Sequence, residues 1–396
     1  MTTLLWHFTA MDSLFFRDGS PMNVGESAWV DSQFPPSGQT LQGALRAAIL
    51  DYLDADIRKF QNGEACLPDN GGSLKDEIGD ARSIGSLRLT GPFIGQKKNL
   101  FFPAPLDLVR NKERTYGLLR PSRDAVSSDI GTLRFPCISG QGYKTMADRY
   151  ISLTSLDTIL RNRVDVIETV PLIANSPEGK GFADREPKIG LARNNGNRQH
   201  RDGMLFAIAP VRPRNDVELV LETEGITQKH VPDEEFLQKL GGEGKLAHVS
   251  VGGSLDLPGP YIHRDAKGEV LRFKIVCLSP LLPESGQLLP EVQAMQNQEQ
   301  AGVLETLWQG KIGACCLKVI SACIGKPHRI GGWDIKNWRP RPLRAFIPAG
   351  SVFFCEAMPN QEAAVQALHN TKIGKETEYG FGHILIGEWS YTGAQS

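Results

Sequence analysis

The order of elements near the C-terminus constrains the fold more than any other feature of this chain. Gln361-Glu362-Ala363-Ala364-Val365-Gln366-Ala367-Leu368 is a run of good helix formers with Ala364, Val365 and Leu368 on one side. Glu378-Tyr379-Gly380-Phe381-Gly382-His383 follows, and then the apolar Ile384-Leu385-Ile386 closed by Gly387, which predicts a buried strand. Glycine at Gly380 and Gly382 permits positive φ and a close backbone neighbour. A dinucleotide fingerprint runs strand, glycine loop, helix; here the order is helix, loop, strand, so a Gly-x-Gly spelling does not make a nucleotide site. That order suits the second half of a ferredoxin-like βαββαβ lobe.

A chain of 396 residues has room for two such lobes. The reading is therefore α+β, with an N-terminal ferredoxin-like lobe over 1–210, a C-terminal one over 211–396, an approximate boundary across which the lobes can interweave, and long inserted loops. With 40% hydrophobic and 22% charged residues, the composition is that of a folded protein. No apolar run is long enough for a membrane helix, and Met1-Thr2-Thr3-Leu4-Leu5-Trp6-His7 lacks the basic start of an export signal. Seven cysteines without paired spacing fit reduced thiols, so a cytoplasmic location is expected, with no membrane partner.

The net charge of −1 conceals a segregation. Lys311 to Arg344 holds eight basic residues and one acid, whereas Asp51–Asp80 and Asp216–Glu243 each hold eight acids against three and two bases. Such a two-signed chain implies one face for a polyanion and another for a protein partner or solvent.

From the N-terminus, Leu4 to Met11 predicts a strand. Phe15-Phe16-Arg17-Asp18-Gly19 then places Arg17 at a bend anchored by aromatics. Ser37-Gly38-Gln39-Thr40 leads into the cleanest helix, with Leu41, Ala44, Leu45, Ala48, Ile49, Tyr52 and Leu53 on one stripe and Arg46 on the exposed side. Ser37 or Thr40 caps it, and its free N–H groups suit a phosphate. Residues 62–80 read as a surface loop or short helical excursion. Residues 174–203 show the weakest structural signals and are basic, with Arg193 and Arg198 as candidate RNA contacts. Gly241-Gly242-Glu243-Gly244-Lys245 lacks the Ser or Thr of a P-loop, since Leu246 follows, but leaves Lys245 available to a phosphate. Cys315, Cys316 and Cys323 match no zinc spacing and read as packing. Trp333 and Trp338 lie among Arg329, Arg339, Arg341 and Arg344, and rings among guanidinium groups suit single-stranded RNA.

The eight histidines form no metal-binding pair, and no nucleophile elbow occurs, so neither a metal nor a cofactor is expected. His383 reads as a structural or RNA-contacting residue; the alternative is a general base in RNA cleavage.

Phe15-Phe16-Arg17-Asp18-Gly19, Phe34-Pro35-Pro36-Ser37-Gly38-Gln39-Thr40-Leu41, Phe102-Pro103-Ala104-Pro105-Leu106-Asp107, Gly331-Gly332-Trp333-Asp334, Phe346-Ile347-Pro348-Ala349-Gly350-Ser351 and Tyr379-Gly380-Phe381-Gly382-His383 resemble one family. It is the RAMP superfamily of CRISPR proteins, in particular the third subunit of the type III-B Cmr module. The resemblance implies two ferredoxin-like lobes and a subunit that is not itself a nuclease. It implies that the subunit holds the 5′ tag of the guide RNA, docks on the polymerase-like large subunit and contacts a backbone RAMP subunit. Ser37, Gly38, Gln39, Thr40 and Gly380–His383 would lie on the RNA side. Lys245 stands where the family carries arginine, which leaves a cation without a bidentate fork. The enzyme alternative is a guide-RNA processing endoribonuclease of the same superfamily, using His383.

Overall fold

Period-two burial lays down the first sheet. In the strand Leu4–Ala10, Trp6 and Phe8 are buried while Thr9 stays exposed. This strand lies between Val217–Glu224 and Leu246–Val251, antiparallel to both, with Trp6 opposite Leu221 on one side and Val251 on the other. Arg88–Gln96 extends the sheet beyond Val217–Glu224, and Phe236–Lys239 beyond Leu246–Val251. The Trp6 indole donates to Thr223 Oγ1 at 2.9 Å, so the central strands share a buried polar bond as well as their ladder.

The computed structural model describes residues 3–17, 29–64, 72–80, 83–128, 131–174, 179–193, 196, 200–284, 287–300, 303–334 and 339–391. It is α+β, mostly sheet with few helices. Two compact units divide the chain: Met1–Lys98, Pro171–Leu255 and Arg329–Ala345 form one, and Asn99–Val170, Asp256–His328 and Phe346–Ser396 the other. The two units are interleaved, so no single cut near residue 210 separates them, because contacts follow strand pairing rather than chain order. Among the described residues no helix is long and apolar enough to cross a membrane.

In the first unit, the helix Gly38–Tyr52 buries Leu41, Ala44, Leu45, Ala48 and Ile49 as its periodicity predicts. Tyr52 is exposed, however, and Gln42 and Leu50 are buried, so the stripe is wider and turned from the expected one. Arg46 is half-buried and donates to Ile84 O at 2.9 Å, which removes it from the solvent face. Within residues 62–80 the short helical excursion is present as Gly72–Ile78, and it puts Leu74 and Ile78 into the core. Described parts of the basic stretch 174–203 form strands, Ala183–Arg185 and Lys188–Arg193 among them. Lys188–Arg193 and His200–Ala209 pair as an antiparallel hairpin, with Arg193 opposite His200, and the second strand runs parallel to Trp29–Asp31.

In the second unit, strands run in the order Thr371–Lys372, His383–Glu388, Leu271–Cys277, Val352–Ala357, Cys315–Cys323, Val303–Ile312. The predicted final strand is present and buried over Ile384–Gly387, beside the helix Glu362–Leu368, whose Val365 and Leu368 join its core. Cys315 and Cys323 fall on the inward side of an alternating strand and Cys316 on the outward side, in keeping with a packing role. Burial pushes the Cys315 thiol up to about 11 and that of Cys277 up to about 12, which leaves both protonated at neutral pH.

Candidate nucleic-acid interface

The helix Gly38–Tyr52 begins as its sequence demands. Ser37 has extended backbone, with φ −66° and ψ 152°, and its Oγ accepts from the Thr40 amide at 3.4 Å. Just before it, the Gln33 amide donates to Phe16 O at 2.9 Å and the Phe16 amide to Ser32 Oγ at 2.9 Å. These bonds tie the segment carrying Arg17 to the chain that enters the helix. Phe15 and Phe16 are buried and Arg17 is exposed, so the aromatics anchor the bend and leave the guanidinium outside.

The basic block folds back on itself as an arm. Trp333–Asp334 pairs antiparallel with Arg339–Pro340, Trp333 facing Pro340 and Asp334 facing Arg339. Below that, the Arg341 amide donates to Gly332 O at 2.9 Å, and His328–Ile330 pairs with Arg344–Phe346. Trp333 is 47% exposed, a large ring left in water. Arg329, Arg339 and Arg341 are exposed and form no ion pair with any described residue, while Arg344 is half-buried. Unneutralised guanidinium groups beside an open ring are unusual for a purely structural ribbon, since exposed cations on a stable surface are easily balanced by neighbouring acids.

Tertiary packing brings this arm to the helix start within the first unit. Gln33 Nε2 donates to Arg329 O at 3.1 Å. At Gly332, whose φ is +145°, a Cβ would lie 3.5 Å from Gln39 Oε1 and 3.8 Å from Arg341 Cδ. Arg17, the capped turn Ser37–Thr40, and Arg329, Trp333, Arg339 and Arg341 therefore meet on neighbouring segments. Trp338 and Arg198 lie outside the described residues. Arg193 is placed by its backbone alone, in the separate hairpin.

Two groups of expected RNA-binding residues are engaged elsewhere. Lys245 is mostly buried; its Nζ bonds Asp12 Oδ2 at 3.0 Å and Ser13 Oγ at 3.3 Å, in a network where Arg212 bridges Asp12 and Glu186. These bonds hold the Asp12 carboxyl far below the usual carboxylate range. Lys245 is thus occupied by a carboxylate rather than offered to a phosphate.

The glycine loop of the second unit is enclosed. Gly380, Phe381, Gly382 and His383 are all buried. The Gly380 amide donates to Thr377 O, the Gly382 amide to Pro280 O and the His383 amide to Ser279 Oγ, at 2.9–3.0 Å. Phe381 packs against Phe346 with ring centroids 4.7 Å apart and the rings tilted by 45°. The glycines serve close approach: a Cβ on Gly382 would stand 1.8 Å from Ile373 O. The expectation that these amides are free for RNA is corrected, because each of the three bonds is already made inside the protein. His383 Nε2 bonds Asn370 Oδ1 at 2.7 Å, and burial, with the charges of Lys372 and His369, depresses its pKa to about 3. It is neutral at physiological pH and shut off from solvent, which suits a structural histidine.

The charged segment from Asn111 to Ser128 reads from sequence as an exposed loop or partner contact, and the structure gathers a second basic cluster at its start. Arg110, Lys112, Arg114 and Lys144 surround one cavity of the second unit. The signal was present as Arg-Asn-Lys-Glu-Arg at 110–114, but Lys144 is brought there only by strand pairing, opposite Arg110.

A family model described as CRISPR-associated protein (Cas_Cmr3) matches residues 6–389. A chain in a cryo-EM structure of the Type III-B Cmr-beta bound to cognate target RNA is similar at 13% identity, covering 96% of each chain, with a TM-score of 0.47. A chain of the Csm3-Csm4 subcomplex in the type III-A CRISPR-Cas interference complex is 11% identical over 98% of this chain and 100% of that one, with a TM-score of 0.39. No curated protein matches the chain.

Proposed function

Because the chain belongs to the Cas_Cmr3 family of CRISPR-associated proteins, we propose that it is an RNA-holding, non-catalytic subunit of a type III-B effector, gripping the 5′ tag of the guide RNA. In that assembly it bridges the polymerase-like large subunit and a backbone RAMP subunit. The observation that carries the reading is the meeting of the capped helix start with an arm that sets Arg329, Arg339 and Arg341, without described ion pairs, around an exposed tryptophan. Helix N–H groups and guanidinium groups hold phosphates, and a free ring stacks a base without regard to sequence.

Strand order supports a ferredoxin-like reading of both units. Numbering the four central strands of each by chain order, both sheets run 4-1-3-2: Leu246–Val251, Leu4–Ala10, Val217–Glu224, Arg88–Gln96, and His383–Glu388, Leu271–Cys277, Val352–Ala357, Cys315–Cys323. Each keeps one of the two expected crossover helices, Gly38–Tyr52 in the first and Glu362–Leu368 in the second. The non-catalytic part rests on the burial of His383, the one histidine that sequence placed at the loop.

The acidic segments supply the protein-facing side. Tyr52 Oη donates to Asp233 Oδ2 at 3.3 Å, and Glu77 holds Thr227 and His230, so the blocks 51–80 and 216–243 lie side by side in the first unit. Asp51, Asp54, Asp233, Glu234 and Glu235 are exposed there, a surface suited to a basic protein neighbour.

Charge reversal of Arg329, Arg339 and Arg341 to Glu tests the grip. Fluorescence anisotropy with labelled single-stranded RNA is expected to show weaker binding and a salt slope shallower by about 2, since each phosphate no longer neutralised takes roughly 0.7 from the slope. Unchanged affinity and slope would remove the arm from the RNA path.

A further inference from the structure

The basic hollow of the second unit lies apart in sequence from every residue assigned above. Three short strands build it: Leu108–Arg110 sits between Lys144–Thr145 and Tyr116–Leu118, with Arg110 facing Lys144 on one side and Tyr116 on the other. The turn from 111 to 115 is fixed by its own bonds. The Asn111 amide donates to Thr115 O at 3.0 Å, Asn111 Oδ1 accepts from the Thr115 amide at 2.8 Å, and Arg114 takes φ +68°. Lys112 and Arg114 are therefore presented from a closed turn rather than a loose loop. Together with Arg110 and Lys144 they line a cavity of about 240 Å³ floored by buried Met146.

No described acid neutralises these four cations. Arg110, Lys112, Arg114 and Lys144 form no ion pair among the described residues, and neither does Glu113, the one acid in the turn. The field extends further. Arg149, held by Thr169 at 2.8 Å, has its pKa lowered by burial and by the charge of Arg110. Like charges gathered round one hollow are stabilised when an anion occupies it. A small-molecule pocket is usually larger than this one. This one is small, with four cations standing round it, which fits phosphates of a strand running across it.

We propose that Arg110, Lys112, Arg114 and Lys144 hold the phosphate backbone of single-stranded RNA, at a place separate from the arginine arm. The proposal rests on the RNA-holding reading above, and the experiment separates the two. Full-length protein is prepared as wild type, as Lys112→Glu/Arg114→Glu/Lys144→Glu, as the arm reversal, and as the combination. The three pocket positions are exposed, and circular dichroism melts confirm that each variant folds. Binding of labelled single-stranded RNA is titrated at several salt concentrations. The pocket variant is expected to bind at least ~10-fold more weakly at low salt, with a slope shallower by about 2. The combination is expected to lose more than either variant alone. Photocrosslinking of wild type to 4-thiouridine RNA is expected to label peptides containing residues 110–116 or 143–146. If the arm reversal weakens binding while the pocket variant binds and crosslinks as wild type does, the pocket proposal falls and the arm reading stands. If neither variant changes binding, both fall. If labelled ATP binds wild type and not the pocket variant, with RNA binding unaffected, the hollow is a nucleotide site and the RNA assignment is wrong.

Discussion

Lys274 and Asp107 show how far a residue's task can lie from its composition. Lys274 Nζ and Asp107 Oδ2 are 2.6 Å apart and both side chains are about 1% exposed. Asp107 Oδ1 has no partner among the described residues, so its share of the carboxylate charge leans on the ammonium alone. Asp107 ends the motif beginning at Phe102, whose Phe102, Ala104, Pro105 and Leu106 are buried as well; the Leu106 amide donates to Gly350 O at 2.8 Å, joining it to the motif around Pro348. Removing one member of a buried pair strands the other charge. Lys274→Met is therefore expected to destabilise the protein by ~3–5 kcal/mol in urea titration, while Lys274→Met with Asp107→Leu recovers most of that loss. A double variant as unstable as the single one would show that the pair itself supplies net stability. At this scale the Trp-Arg character of the arm was legible from spelling. The fates of Lys245, Arg46 and His383 were not, because each depends on a partner beyond its own element: Asp12, Ile84 and, for His383, Ser279 and Asn370.

At the scale of elements, period and caps carried the reading. The helix Gly38–Tyr52 and the strands Leu4–Ala10 and His383–Glu388 lie close to where their apolar patterns put them. The glycine turn before the last strand was also legible as a turn, but its purpose was not. Glycine licenses both an open amide nest and a close backbone approach, and only the position of Ile373 O decides between them. Gly382 and Gly244 make the comparison clean, with φ of +73° and +65°; a Cβ at Gly244 meets nothing within 4 Å. Gly382→Ala is expected to cost at least ~3 kcal/mol and Gly244→Ala ~1–2 kcal/mol, read as melting-temperature shifts. Equal shifts would mean that backbone conformation, and not the nearness of Ile373, requires the glycine at 382. The apolar run 205–209 reads as a strand from sequence, whereas Lys188–Arg193 does not, because Gly190 and Ala192 beside Ile189 and Leu191 give no apolar–polar alternation.

For the molecule as a whole, strands distant in sequence meet through polar links whose strength varies with pH. His7 on Leu4–Ala10 faces Glu218 Oε1 with Nδ1 and Gly252 O with Nε2, both at 3.0 Å. Two acceptors favour the doubly protonated ring, and the bond to Glu218 raises the His7 pKa despite burial. A raised folded-state value means that this stability is fully present below the unfolded pKa, about 6.5, and is lost as pH rises through the folded one. The melting temperature of wild type should therefore exceed that of His7→Gln by more at pH 5.5 than at pH 8.5. A gap that is constant, or that widens with pH, would contradict the linkage. The basic arm, the acidic blocks and the basic hollow were visible, in whole or part, as charge runs, yet their neighbours followed from pairing.

Local sequence determined which segments are strands and helices, where they start and stop, and which stretches carry excess charge. Those properties depend on residues within a few positions of one another, through backbone preference, side-chain period and capping. Tertiary structure decided which charges stay unpaired, which glycines are enclosed, and how three stretches of chain make each unit. It does so because a cation's availability and a loop's exposure are set by groups on other elements, such as Asp12 for Lys245 and Ser279 and Pro280 for the glycine loop, brought near only when the sheets close.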